Sequence, residues 1–129
     1  MKTIYLCGPI HGCDDLQARG WRTHVMEALG TRYVFLDPMR RDYRGRERGN
    51  WREIVAADLD DIQNSDYTLA LCDRPSWGTA MEIFAAARLF RKPTILVGGN
   101  DSPWLEVHAA YRVTSIAEAI QMLLDWEAF

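Results

Sequence analysis

Apolar residues arrive in short bursts along this chain, separated by helical or turn-like stretches. Thr3–Cys7 (TIYLC) is β-rich and stops at Gly8-Pro9, which predicts a strand followed by a turn. Asp14 and Asp15 can cap a helix through Trp21, Val25 and Met26 to about Leu29, with Gly30 as its stop. Residues 33–36 read as a second strand, closed by Asp37-Pro38, and the arginine-rich, glycine-punctuated residues 39–50 read as a loop. Residues 51–64 have helical character and Tyr67–Cys72 (YTLALC) is a third strand. After a loop around Pro75, Gly78-Thr79 opens an alanine-rich helix to about Phe90. Residues 93–97 form a fourth strand, which Gly98-Gly99-Asn100-Asp101 breaks. A short fifth strand is expected within residues 108–113, and Ser115 can cap a last amphipathic helix through Leu124 and Trp126.

Strands alternating with helices mean an α/β fold: a five-stranded, mostly parallel sheet with helices on both faces, flavodoxin-like or Rossmann-like. At 129 residues the whole chain, 1–129, fits a single domain. Ligands of such folds sit at the carboxyl ends of the strands. That rule nominates residues 8–13, 37–50, 73–79 and 98–103.

Composition narrows the picture only a little. The chain is 48% hydrophobic and 26% charged, which suits a globular protein, and its net charge of −3 gives no reason to expect long nucleic acid or an anionic membrane as partner. Small anions remain open to a local basic loop. Cys7, Cys13 and Cys72 are odd in number and lack metal-ligand spacing, so reduced thiols and a cytoplasmic location are expected. No apolar run approaches ~20 residues and nothing reads as a signal peptide, so no membrane span is expected.

Two carboxylates stand out. At about 100° per residue, Ile54, Val55, Leu59 and Ile62 gather on the helix side that should face the sheet. Asp58 falls in the middle of that arc, Asp60 points away and Asp61 lies near its edge. A carboxylate there is costly unless paired or used, so Asp58 is either a functional group or a structural one bonded to backbone or arginine. Glu82 is the only acidic residue of an otherwise apolar helix, placed in its first turn at the end of the third strand. The helix dipole there should keep it ionised, as a nucleophile requires; simple dipole complementarity is the alternative. Together the two carboxylates suit glycosidic bond chemistry, one attacking the anomeric carbon while the other handles a proton.

Weaker signals surround them. The loop C-G-P-I-H-G (Cys7, Gly8, Pro9, Ile10, His11, Gly12) can cradle a phosphate or sugar, or be a plain turn; it is neither a P-loop nor a G-x-G-x-x-G. Ser76, Gly78 and Thr79 surround a helix start where an anion or merely a cap would fit. Arg40, Arg41, Arg44, Arg46 and Arg48 make either a lid over an anionic substrate or, more commonly for such a stretch, a solvated flexible loop. His11, His24 and His108 form no recognisable metal set, and no hydrolytic triad motif occurs.

Taken together, these pieces resemble the nucleoside 2-deoxyribosyltransferase superfamily, which includes the 2′-deoxynucleoside 5′-monophosphate N-hydrolases. The resemblance rests on I-Y-L-C-G-P-I from Ile4, D-L-x-x-I from Asp58 and S-D-Y-T-L-A from Ser65. It continues with P-S-W-G-T-A-M-E-I from Pro75 and K-P-T-I-L-V from Lys92. It implies that Glu82 attacks C1′ and forms a glycosyl-enzyme, that Asp58 assists protonation of the leaving base or bonds the sugar, and that Tyr5 orients the glutamate. It further implies a small-molecule nucleoside or nucleotide substrate, no metal or organic cofactor, and a homodimer or higher homo-oligomer whose neighbours help complete the site. Two departures bear on the reaction. Ser76 stands where the family's transferases have an aspartate, as in the monophosphate hydrolases, where the serine contacts the 5′-phosphate. Pro9 is transferase-like, since the hydrolases carry serine there. The expectation is therefore hydrolysis of a (deoxy)nucleoside 5′-monophosphate; the alternatives are base exchange between nucleosides and a non-catalytic nucleotide-binding module.

Overall fold

The alternation within one strand sets up the layers. In the computed structural model, which describes residues 1–99 and 101–127, β1 (Thr3–Cys7) turns Ile4 and Leu6 to one side and Tyr5 and Cys7 to the other. β2 (Val34–Leu36), β3 (Tyr67–Cys72), β4 (Thr94–Gly98) and β5 (Tyr111–Val113) complete the sheet. It is parallel throughout, in the order β2-β1-β3-β4-β5. On one face, Ile4, Leu6, Leu69 and Ile95 pack against α1 (Trp21–Leu29) and α5 (Ile116–Glu127) through Val25, Leu29 and Leu123. On the other, Tyr5, Cys7, Ala70 and Leu96 meet α2 (Trp51–Gln63) and α3 (Trp77–Arg88) through Ile62, Ile83 and Ala86. Strands covered on both faces need near-continuous apolar runs, which these are.

The expected fold class is the one found, and several local expectations shift. The first helix opens with a π-helical turn, Leu16–Gly20, before α1 begins. Asp14 does cap it: Asp14 accepts from the Gln17 amide and Gln17 returns the bond to the Asp14 amide. Within the expected loop, Pro38–Arg40 form a 3₁₀ turn with Asp37 accepting from the Met39 amide. A short helix, α4 (Pro103–His108), was not expected; Ser102 caps it by accepting from the Leu105 amide. Gly98, at φ +85°, turns the chain where an added Cβ would lie 2.6 Å from the Cys72 carbonyl oxygen. Asn100, in the predicted break, lies outside the described residues.

The face of α2 also needs correction. Val55 is 57% exposed, whereas Ile62 is buried and Asp61 is only 6% exposed. The amino-terminal turns of α2 stand clear of the sheet, so helix periodicity projected onto a flat core misplaced both Val55 and Asp61. What lies beneath those turns is the crevice between β1 and β3, where the strand order reverses.

Candidate active site

Where β2 stops, opposite Tyr5, a side chain takes over. Arg22, 0% exposed, donates from Nε to the Leu6 carbonyl at 3.2 Å, from Nη2 to Gly8 at 3.0 Å and from Nη1 to Ala18. Its partner in charge is Asp37, at 3.8 Å. Gly8 is pressed so closely that an added Cβ would sit 2.8 Å from the Trp21 ring. This fixed β1 loop forms one edge of a cleft of about 170 Å³.

The opposite edge is the start of α3. Ser76, the N-cap, accepts from the Thr79 amide at 3.3 Å and from the Thr79 hydroxyl at 2.9 Å. One turn on, Glu82 reaches the cleft floor and its Oε1 accepts from the Tyr5 hydroxyl. Gly78 leaves the approach open, since a Cβ there would come within 3.8 Å of Glu82 Oε2.

The third side is Asp58 and the loop that precedes α2. Arg41 Nη2 donates to Asp58 Oδ1 at 3.2 Å and to Asp61 Oδ2 at 2.8 Å. Asp61 also holds Arg40 through both terminal nitrogens, at 3.0 and 2.7 Å. Arg44 is gripped by Asp42 and Asp15 and donates to the Cys13 carbonyl. Arg46 bonds the Asp42 carbonyl and lies over the Tyr43 ring. Ion pairs thus tie down a stretch expected to be a flexible loop, and Tyr43, Arg44 and Glu47 form a wall of the cleft.

Electrostatics runs against one expectation. Glu82 sits in the second turn of α3 rather than the first, beyond most of the dipole's reach. Burial, and then the charge of Asp58, raise it to about 8, against the lowering pull of the Tyr5 hydroxyl and Arg22. Both causes favour the protonated acid over the ionised form that the helix dipole led one to expect. Burial also raises Asp58, opposed by its bond to Arg41. Tyr5 and Cys7 are pushed well up by burial, so neither ionises near neutrality.

The sequence profile described as nucleoside 2-deoxyribosyltransferase matches residues 4–114. The chain belongs to the nucleoside 2-deoxyribosyltransferase family. It is therefore an enzyme by family. Among solved structures, the 2-deoxyribosyltransferase of Bacillus psychrosaccharolyticus superposes with a TM-score of 0.72 at 21% identity, covering 94% of this chain and 95% of that one. The Clostridium botulinum CMP N-glycosidase BcmB gives 0.64 at 18% identity, covering 97% and 99%. At these identities the likeness is one of fold. No curated protein matches at a significant level.

Within this family member, the residues singled out in the sequence converge unequally. Gly8, Ile10 and His11 line the cleft from one side, and Ser76, Gly78, Thr79 and Glu82 from the other, with Asp58 between. Tyr5 meets Glu82 from below. Pro9 is buried and Gly12 is exposed; neither lines the cleft. His11 stands at the rim, 87% exposed, with its Nδ1 2.9 Å from Glu47. Sequence reasoning passed over Tyr43 and Glu47, which carry no motif, and Arg22, whose burial nothing in the pattern signals. Among the described residues no cluster of His, Cys, Asp or Glu is placed to hold a metal, and no helix is long and apolar enough to cross a membrane.

Proposed function

We propose that this enzyme cleaves the N-glycosidic bond of a (deoxy)nucleoside 5′-monophosphate through a covalent glycosyl-Glu82 intermediate. The observation that carries the reading is the Tyr5–Glu82 hydrogen bond, set on the floor of a cleft that Asp58 also lines. Tyr5 fixes one carboxylate oxygen and leaves the other to attack C1′. As the C1′–N bond breaks, its electron pair goes to the base, and Asp58 supplies the proton that makes the base a neutral leaving group. Water then attacks C1′ and releases sugar phosphate, with Asp58 taking the proton from the water. The productive state therefore has Glu82 ionised and Asp58 protonated. Ser76, with its hydroxyl at the cleft edge, is the residue proposed to contact the 5′-phosphate.

The same reading treats residues 1–129 as one catalytic domain and the protein as a cytoplasmic homo-oligomer. Three free thiols support a reducing compartment. An apolar groove of about 680 Å³ runs beside Asp58 and Glu82, flanked by the exposed Val55, Met81, Phe84 and Trp104. A second copy covering it would close the open side of the cleft.

Chromatography of a panel of nucleosides and 5′-monophosphates, wild type beside Glu82→Ala, tests the assignment. Free base from monophosphates alone, lost in the variant, is the expected result. One observation favours base exchange instead: Pro9 offers no hydroxyl where the hydrolases have one. Formation of a new nucleoside when a second base is added would establish that reading.

A further inference from the structure

Two of the carboxylates lining the cleft, Asp58 and Glu82, carry opposite roles in the proposed mechanism, and among the described residues only the first of this pair has a cation bonded to it. Arg41 Nη2 touches Asp58 at 3.2 Å. Glu82 has instead a neutral donor, the Tyr5 hydroxyl. Among the described residues, the other charged or titratable groups around the pair are Cys7 on β1, Arg22 on α1, Asp61 on α2, Tyr43 in the loop before α2 and, across the apolar groove, His108 on α4. His11, Glu47 and Arg44 stand at the rim. Arg22 is committed to three backbone carbonyls and Arg44 to two aspartates. Arg41 is the guanidinium that meets a reacting carboxylate directly.

Its hold on Asp58 is also the looser of its two. The same nitrogen lies 2.8 Å from Asp61, a carboxylate already gripped at two points by Arg40. Asp61 and Arg40 therefore anchor this end of the loop whether or not Arg41 bonds Asp58. We infer that Arg41 is a positioning residue that decides which of the two cleft carboxylates carries the proton, keeping the negative charge on Asp58 and the proton on Glu82 in the resting enzyme. A hydrogen bond from a cation favours the ionised acid, and an ionised Asp58 in turn discourages ionisation of Glu82. The resting arrangement is thus the reverse of the one the reaction uses. Arg41 thereby sets what fraction of the singly protonated pair is in the productive form.

This inference rests on the mechanism proposed above, but its first test does not involve turnover. Carboxyl carbons of ¹³C-labelled free protein are titrated by NMR in wild type, Arg41→Gln and Arg41→Lys. In Arg41→Gln the Asp58 midpoint should rise and the Glu82 midpoint fall, each by about one pH unit. Arg41→Lys, which keeps the charge, should stay near wild type. With a nucleoside 5′-monophosphate as substrate, the acid limb of kcat/KM in Arg41→Gln should move to higher pH with the Asp58 midpoint, and the alkaline limb to lower pH with that of Glu82. Unmoved midpoints in a folded Arg41→Gln protein overturn the inference, as does a uniform loss of activity at every pH with titrations unchanged. Absence of turnover in wild type would count against the proposed function and leave the titration result standing.

Discussion

The hydroxyl of Tyr5 donates to the carboxylate of Glu82, joining residues 77 positions apart in the chain. β1 and β3 are neighbours in the sheet, and α3 follows β3 directly. The contact is therefore a product of strand order, not of local sequence.

Glu82→Gln keeps the size of the side chain and an acceptor for Tyr5. Base release should fall by at least about 10³-fold, as expected for loss of a nucleophile, while circular dichroism stays native. A variant with a tenth of the wild-type rate would remove Glu82 from the role.

Tyr5→Phe removes the donor that favours the charged form of Glu82. Hydrogen bonds to charged groups are worth about 1.5–3 kcal/mol, so kcat should drop roughly 10- to 100-fold and the alkaline limb of kcat/KM, which follows Glu82 when the resting proton sits there, should move upward. An unmoved limb would reduce Tyr5 to a packing residue.

Stability should carry the same signature. Glu82 binds its proton more tightly folded, at about 8, than at its ordinary 4.5. Its contribution is then complete below about 4.5 and is lost as pH climbs towards 8. The melting temperature of wild type should fall across that window more steeply than that of Glu82→Gln; parallel curves would contradict the raised value.

Gly78→Ala separates fold from function. The new Cβ meets nothing nearer than Glu82 Oε2, at 3.8 Å, and alanine favours a helix by up to about 1 kcal/mol. Thermal stability should hold or rise while KM rises, because the methyl occupies space beside Glu82 in the cleft. An unchanged KM would place the substrate elsewhere.

Met81→Asp probes the apolar groove between α2, α3 and α4. If a second copy covers that face, the charge should convert an oligomer to monomer in sedimentation velocity and depress activity with it. A wild-type protein that is already monomeric would dismiss the interface.

Much of this was legible from the residues, and the failures share a cause. Strand and helix patterns in β1, β3 and α3 are strong because both faces of the sheet are covered, so their apolar runs are unbroken. Asp58 and Glu82 were visible as acids in apolar settings. Asp61 was not, because its burial depends on where α2 leaves the sheet. Arg22 reads as an ordinary helix-surface arginine until β2 is seen to end early. The charge state of Glu82 was misjudged because a helix dipole can be inferred from sequence, whereas the desolvation and the neighbouring Asp58 that outweigh it belong to the assembled cleft. The missed α4 did leave a trace: Ser102 before Pro103 is a helix-start signature, overlooked in so short a segment.

The brevity of β2 has a further meaning. Because the strand stops at Leu36, the chain crosses the rim of the cleft on its way to Trp51: Pro38–Arg40 pack on β1, and beyond them Tyr43, Arg44 and Glu47 form a wall tied by side chains to Asp15 and His11. On the proposed mechanism Tyr5, Arg41, Asp58 and Glu82 all lie outside residues 42–50. Exchange of that stretch, with its partners Asp15, Arg19 and His11 adjusted to match, is expected to change what the cleft admits before it changes the bond-breaking step.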